Sequence, residues 1–319
     1  MSDIHSKSHR LYTVQDLLSW QPPPATRLIH SGILNINNRM LIFGDEGSWK
    51  SILALHTAHT LSRGSQWLGF MTSPCNVYRL QVELPMYTDR ERIAKYCYSS
   101  RTIYLAKHTQ QILNSDHADR LEELAKSYSY PSTIINRTEQ FIHIDESSGW
   151  ESLKQDIDNC ISFLPPAPLV IILDPLYKMF NRDLNNETDF KPLIDKMDIL
   201  MADSKVGIAF IIIHHSRKSQ TDSTGAVLNL GSQEATGTRA ILRYVDTAMQ
   251  VIPYHNDPTL SRVTAVFTKH RNAEEPLPVI GIKWNRDTLH PQLLYRKAPV
   301  YEDTDEIEER GDSLLQQLE

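Results

Sequence analysis

The chain has 319 residues, 40% of them apolar and 23% charged, with a formal net charge of −6. That suits one large α/β domain with short extensions, or two small domains, and excludes a polycation, so any nucleic-acid contact has to come from local basic loops. Cys75, Cys97 and Cys160 form no CxxC pair and none of the 13 histidines has HExxH spacing. This excludes a disulfide scaffold or a cysteine zinc site and predicts a reducing compartment. No apolar run is long enough to cross a membrane and no signal-peptide core is evident, so a soluble, cytoplasmic protein is expected.

A polar segment runs to residue 38. Its first part, 1–29, reads as an N-terminal arm with a short helix at Val14–Trp20 and a rigid Pro22-Pro23-Pro24 spacer. The first apolar run, 39–43, ends at Phe43. Gly44 and Gly47 then mark a tight turn, and Lys50-Ser51 open a helical pattern over 50–62. Strand, polar loop and helix in this order are the setting of a P-loop, whose backbone N–H groups wrap a polyphosphate. The candidate nucleotide-binding residues are Gly44, Asp45, Glu46, Gly47, Ser48, Trp49, Lys50 and Ser51. Lys50 would reach the β- and γ-phosphates of ATP, and the Ser51 hydroxyl would ligate Mg²⁺. Trp49 stands where the P-loop pattern has glycine. A residue already in helical φ/ψ tolerates a side chain there, which predicts Trp49 lying over the nucleotide or against a neighbouring subunit.

The run VYRLQV at 77–82 leads to Glu83, a carboxylate placed to accept a proton from attacking water, or an ordinary strand-end acid. Helices over 88–107 and 116–129 make a polar, helix-rich insertion at about 86–140. The apolar run FIHI at 141–144 predicts a strand, followed by a helix over 150–164. LVIIL at 169–173 lacks alternation, as strands covered on both faces do. Asp174 closes it, in the place of a Walker-B carboxylate that holds the Mg²⁺ shell or, alternatively, of a cap before Pro175.

A helix over 188–203 precedes the run at 206–213, which ends in His214-His215-Ser216. His215, after a buried strand next to the P-loop strand, is placed to sense the γ-phosphate or, alternatively, is a satisfied polar group. Arg217 and Lys218 open a polar stretch, 216–238, that reads as a long loop and offers cations either to a nucleic-acid backbone or to solvent. Segments 245–252, 262–268 and 279–284 are strand-like and joined by short turns, predicting an antiparallel extension. Lys269 and Arg271 follow RVTAVFT at a strand end, where cations two residues apart share one side of the sheet. Residues 299–319 form an acidic tail. Strands alternating with helices predict an α/β fold with a mostly parallel twisted sheet.

In order and spacing these motifs resemble the RecA-like ATPases of the hexameric-helicase branch. They are most similar to the RepA-type plasmid and phage helicases (the AAA_25-like group) and more distantly to the DnaB C-terminal domain. The resemblance covers about residues 30–290 and implies a RecA-like domain over 30–298. Gly44–Ser51 corresponds to Walker A, Glu83-Leu84-Pro85 to the catalytic glutamate, Asp174 to Walker B and IIIHHSRKS to the motif that follows the histidine strand. TKHRN is similar to the lysine/arginine pair that acts across a subunit interface, so Lys269 and Arg271 would complete a neighbour's site. The expected activity is Mg²⁺-dependent ATP hydrolysis by a ring, a hexamer, that translocates on single-stranded nucleic acid (DNA in the first instance) in replication or recombination. The alternative is an ATP-dependent assembly or regulatory protein, in replication initiation, transposition or defence, that switches oligomeric state without unwinding.

Overall fold

A computed structural model describes residues 13–19, 26–112, 133–139, 141–184, 186–215, 238–254, 257 and 259–298. The helices are α1 (Val14–Ser19), α2 (Lys50–Arg63), α3 (Met86–Ile112), α4 (Ser147–Phe163), α5 (Glu187–Asp203) and α6 (Thr238–Tyr244). A short pair, β1 (Arg27–Ile29) and β2 (Leu34–Asn35), stands apart from the main sheet. That sheet comprises β3 (Arg39–Gly44), β4 (Asn76–Gln81), β5 (Ile134–Thr138), β6 (Leu169–Asp174), β7 (Ile208–His215), β8 (Thr247–Pro253), β9 (Arg262–His270), β10 (Val279–Trp284) and β11 (Pro291–Lys297). Their spatial order is β11-β10-β9-β8-β3-β7-β6-β4-β5. From β8 to β5 every neighbouring pair is parallel, while β9, β10 and β11 continue the sheet antiparallel.

The two faces of the central strands bury separate cores. Val170 and Ile172 of β6 and Ala209, Ile211 and Ile213 of β7 pack with α2 on one side. Leu169, Ile171 and Leu173, with Phe210 and Ile212, pack with α4 and α5 on the other. Burial on both faces is why these runs are continuously apolar rather than alternating.

Helix α2 is buried nearly all round, including its polar residues His56, Thr57, His59 and Thr60. Each has a partner, as burial demands. Thr57 donates to the Leu53 carbonyl at 2.7 Å and accepts from Trp67 Nε1 at 2.7 Å. His56 Nδ1 lies 2.7 Å from Tyr96 Oη, His59 Nε2 lies 3.5 Å from Cys97 Sγ, and the Tyr96 ring stacks on His290 at 4.1 Å. This cluster ties α2 to α3 and to the β10–β11 turn. Gly64 ends α2 in the left-handed conformation (φ 61°) and Ser65 N donates back to Thr60 O at 3.0 Å, a Schellman-type closure.

Burial holds His56 and His59 well below the ordinary histidine range, each at about 3. A histidine with a depressed folded pKa loses stability as pH falls from its unfolded value toward the folded one. Stability is therefore expected to drop between about pH 6 and 4, by roughly 1–3 kcal/mol per pH unit for the two groups together. Urea unfolding at stepped pH checks this; a flat profile for the wild type, or one unchanged by His56→Gln, would show that the cluster does not bear the cost.

Two expectations are corrected, and one strand had not been expected. FIHI at 141–144 is not a strand: the ladder on β4 is taken by Ile134–Thr138. Residues 141–144 instead cross the sheet end, with Ile142 and Ile144 buried and Ile144 N donating to Met179 O at 2.8 Å. The segment expected at 245–252 as part of the antiparallel extension is parallel to β3 and starts that extension only through its other edge. An eleventh strand, 291–297, extends the sheet further. The helix expected at 116–129, the proline spacer, the loop behind His215 and the acidic tail lie outside the described residues. Among the described residues no helix is long and apolar enough to cross a membrane, and the three cysteines are buried and free.

Candidate nucleotide-binding site

Parallel strands share one carboxyl edge, and here β3, β7, β6 and β4 bring Gly44, His215, Asp174 and the Glu83 turn to it together. Ligands of open α/β sheets bind at such an edge. Gly44 is required by close approach: a Cβ there would lie 2.2 Å from the Val251 carbonyl oxygen. Gly47, at φ 77°, turns the loop in the left-handed region that favours glycine.

Lys50 lies in the loop's interior, 3% exposed. Its ammonium donates to the Asp45 carbonyl at 2.5 Å and to Ser48 Oγ at 3.0 Å. Burial pushes it down to about 8, against the pull of Asp45, Asp174, Glu83 and Glu46. A poorly hydrated cation ringed by loop oxygens is suited to exchange them for phosphate oxygens.

Ser51 Oγ donates to Asp174 Oδ1 at 2.9 Å. Asp174 is fully buried, and its second oxygen, Oδ2, has no hydrogen-bond partner. Burial raises its carboxyl above the ordinary range, with the Arg79 guanidinium and the Ser51 hydroxyl opposing. A serine hydroxyl beside an unsatisfied buried carboxylate oxygen fits Mg²⁺, which takes one or two protein oxygens and completes its shell with water and phosphate. Among the described residues no group of three histidine, cysteine or carboxylate side chains could cage an ion.

Glu83 is half-buried beyond β4. Tyr177 Oη donates to its Oε1 at 3.4 Å, and His215 Nε2 is 3.9 Å from its Oε2. Strand alternation separates the two histidines. His215 falls on the α2 side, edge-on to the Tyr177 ring at 5.1 Å, with its pKa lowered by burial and by Lys50. His214 falls on the other side, buried, held down to about 4 by burial and with Nδ1 unpartnered.

Trp49 departs from expectation. It is not in helical φ/ψ but left-handed, at φ 65° and ψ 15°, the conformation glycine would supply. Its indole stacks on Trp284 of β10 (centroids 5.7 Å apart, planes 5° apart) and Nε1 donates to Leu260 O at 2.8 Å. The side chain thus packs on the antiparallel extension of its own chain. Trp49→Gly exchanges a strained conformation for lost packing and a lost hydrogen bond. A net loss of about 1–2 kcal/mol is expected by urea unfolding; unchanged or increased stability would mean that the stack contributes nothing.

Lys269 and Arg271 lie at the opposite edge of the sheet. Arg271 N donates to Asp246 O, and Asp246 N to Arg39 O, at the start of β3. That is about 15–20 Å from the P-loop along the strands, so neither cation serves its own chain's loop. A bulge next to Met249 lets Lys269 pair with Ala248 and Phe267 with Met249. Lys269 Nζ then caps α6, donating to Leu242 O at 2.6 Å. The Arg271 guanidinium is 60% exposed and only loosely paired with Asp246, at 3.4 Å. Arg217 and Lys218 lie outside the described residues.

Sequence reasoning passed over four residues near the P-loop edge, Arg79, Gln81, Asp89 and Tyr177. Arg79, fully buried in β4, forms a bidentate pair with Asp89. Gln81 Oε1 accepts from Leu84 N at 3.1 Å and so fixes the turn that carries Glu83. Tyr177 is pushed up to about 12 by burial and by Glu83, so it stays a donor to that carboxylate. A charged residue inside the run VYRLQV was the available signal.

The AAA domain family AAA_25 matches residues 5–221, about two thirds of the chain. The chain belongs to this family. Two solved structures resemble this AAA domain. One, described as an ATPase domain, superposes with a TM-score of 0.53 at 13% identity, over 81% of this chain and 85% of that one. The other, a DnaB-like replicative helicase described with its interactions with primase, superposes with a TM-score of 0.51 at 12% identity, over 80% of this chain but 57% of its own. At these identities the likeness establishes the fold of the AAA domain, a RecA-like core with a mostly parallel sheet. No curated protein matches the chain.

Proposed function

We propose that this AAA domain is a Mg²⁺-dependent ATPase that works as a ring, with six subunits expected, translocating on single-stranded DNA. The observation that carries the hydrolytic part is the meeting of Lys50, Ser51, Asp174 and Glu83 at one sheet edge, with Ser51 Oγ 2.9 Å from Asp174. The ring rests on the opposite placement of Arg271, exposed and remote from its own P-loop.

Gly44–Ser51 wraps the triphosphate, and Lys50 turns its ammonium from Asp45 O and Ser48 Oγ to the β- and γ-phosphates. Ser51 and Asp174 would hold Mg²⁺, which would supply neutralisation of the phosphate charge. Glu83 takes the proton of the attacking water as the bond from water oxygen to γ-phosphorus forms and the bond to the β-γ bridging oxygen breaks. His215, next to Glu83, connects the γ-phosphate to the segment that follows β7, where Arg217 and Lys218 supply cations for a nucleic-acid backbone. A neighbour's Arg271 offsets transition-state charge, while Lys269 holds α6 in place behind it.

Steady-state ATP hydrolysis with and without single-stranded DNA tests this reading. Stimulation by DNA that weakens steeply with salt is the expected result. The second reading, an ATP-dependent assembly switch, is favoured by Trp49, which locks the P-loop to Trp284 and Leu260. Nucleotide-dependent change of oligomeric state with little turnover and no response to DNA would establish it instead.

A further inference from the structure

A cation site and a buried arginine are poor neighbours, because a guanidinium on the ligating carboxylate repels the metal. Yet Arg79 lies beside Asp174. Its Nη2 is 3.6 Å from Asp174 Oδ2, an ion pair too long for a hydrogen bond, and that oxygen accepts no hydrogen bond. What holds Arg79 back is Asp89. The carboxylate of Asp89 takes both terminal nitrogens, Nη1 at 2.9 Å and Nη2 at 3.0 Å, in the fork geometry that carboxylates and guanidinium groups prefer. Thr138 Oγ1 of β5 donates to the same carboxylate at 2.9 Å and fixes its orientation. All three charged groups are essentially buried. Asp89 takes the hydrogen bonds of the guanidinium fork, and the carboxylate oxygen of the group that accepts none is Asp174 Oδ2.

We propose that Asp89 and Arg79 are positioning residues for the metal site: Asp89 holds the Arg79 guanidinium off Asp174, so that Oδ2 stays open to a divalent cation. This deepens the function proposed above and rests on its assignment of Asp174 to Mg²⁺. Asp89 sits in the first turn of α3, six residues after Glu83, and its N–H is bonded to Pro85 O at 3.1 Å. Helix α3 therefore carries the carboxylate that competes for Arg79. Any displacement of its first turn releases the guanidinium to Asp174 and closes the metal site. The pair makes cation binding depend on the seating of α3 against β5 and on the Glu83 turn. Two arrangements of one buried arginine are the physical element that such coupling requires.

The test is the Mg²⁺-dependent gain in affinity for a slowly hydrolysed ATP analogue, measured as the ratio of its dissociation constants in EDTA and in Mg²⁺, without any turnover. Asp89→Asn keeps the shape but leaves Arg79 free for Asp174, and is expected to cut the Mg²⁺ gain by roughly tenfold while leaving affinity in EDTA within about threefold. Adding Arg79→Gln to Asp89→Asn removes the released cation and is expected to restore most of the gain. The double variant replaces a buried ion pair by neutral groups of similar shape, a change that folds tolerate better than a broken pair. It serves alone should Asp89→Asn not fold: a double variant without the Mg²⁺ gain overturns the proposal. So does a folded Asp89→Asn protein with the full gain. Asp174→Asn separates the two levels. If Asp174→Asn abolishes the gain but Asp89→Asn does not reduce it, only the positioning role falls. If Asp174→Asn keeps the gain, the metal assignment itself is wrong, and the positioning role goes with it.

Discussion

Lys50→Ala is expected to lower ATP turnover by about two to four orders of magnitude, roughly 3–5 kcal/mol of transition-state stabilisation. Lys50 is the one ammonium inside the loop, and its partners there are the Asp45 carbonyl and Ser48 Oγ rather than any carboxylate in direct contact. Its removal should leave the fold intact. Ser48 Oγ still donates to Asp45 O at 2.7 Å, and the Ser48 N–H bonds the same carbonyl at 3.3 Å. Burial depresses the Lys50 pKa from 10.5 to about 8, so at neutral pH its charge weakens the fold, and alanine removes that cost. The variant is therefore expected to melt at the wild-type temperature or slightly above it. Loss of turnover without loss of stability identifies a catalytic effect. Turnover within threefold of wild type in a folded Lys50→Ala protein would falsify the P-loop assignment.

Arg271→Ala is expected to be as damaging by itself, about 10³-fold or more in turnover, as for other arginines supplied across an interface. Its more decisive consequence appears on mixing. In the proposed ring, Lys50→Ala subunits keep Arg271 and Arg271→Ala subunits keep Lys50. Random mixing in equal amounts creates complete sites at about a quarter of the interfaces, so activity should return from two inactive preparations. An arginine acting within its own chain would give no such recovery. The structure supports the first outcome, because Arg271 is bonded through its N–H to Asp246 at the far edge of the sheet and its guanidinium is 60% exposed. Lys269→Ala should behave differently. Its ammonium caps the Leu242 carbonyl, and its loss is expected to loosen α6 and lower the melting temperature.

Local pattern was enough to bring the candidate site residues to one sheet edge. Gly44, Lys50, Ser51, Glu83, Asp174 and His215 each follow or begin a strongly apolar element, and in a parallel sheet chain direction alone sends the ends of such strands to one side. Continuous apolar runs at 169–173 and 208–213 could be read because burial on both faces leaves little room for polar residues. What escaped were features set by pairing rather than by local pattern. Strand β5, with the mixed sequence INR inside IINRT, is a strand because β4 offers it a hydrogen-bonding edge, while the more apolar FIHI finds none.

Other features came from long-range packing. Trp49 sits in the left-handed region because Trp284 and Leu260, more than 200 residues away, supply a stacking plane and an acceptor. His215 rather than His214 faces Glu83 through the phase of a pleat that adjoining residues cannot reveal. A bulge between β8 and β9 separates the roles of Lys269 and Arg271. Arg79, Asp89 and Asp174, from three different elements, join into one buried charge network. These are contacts between distant segments, whose geometry depends on register and packing, and no local periodicity encodes them.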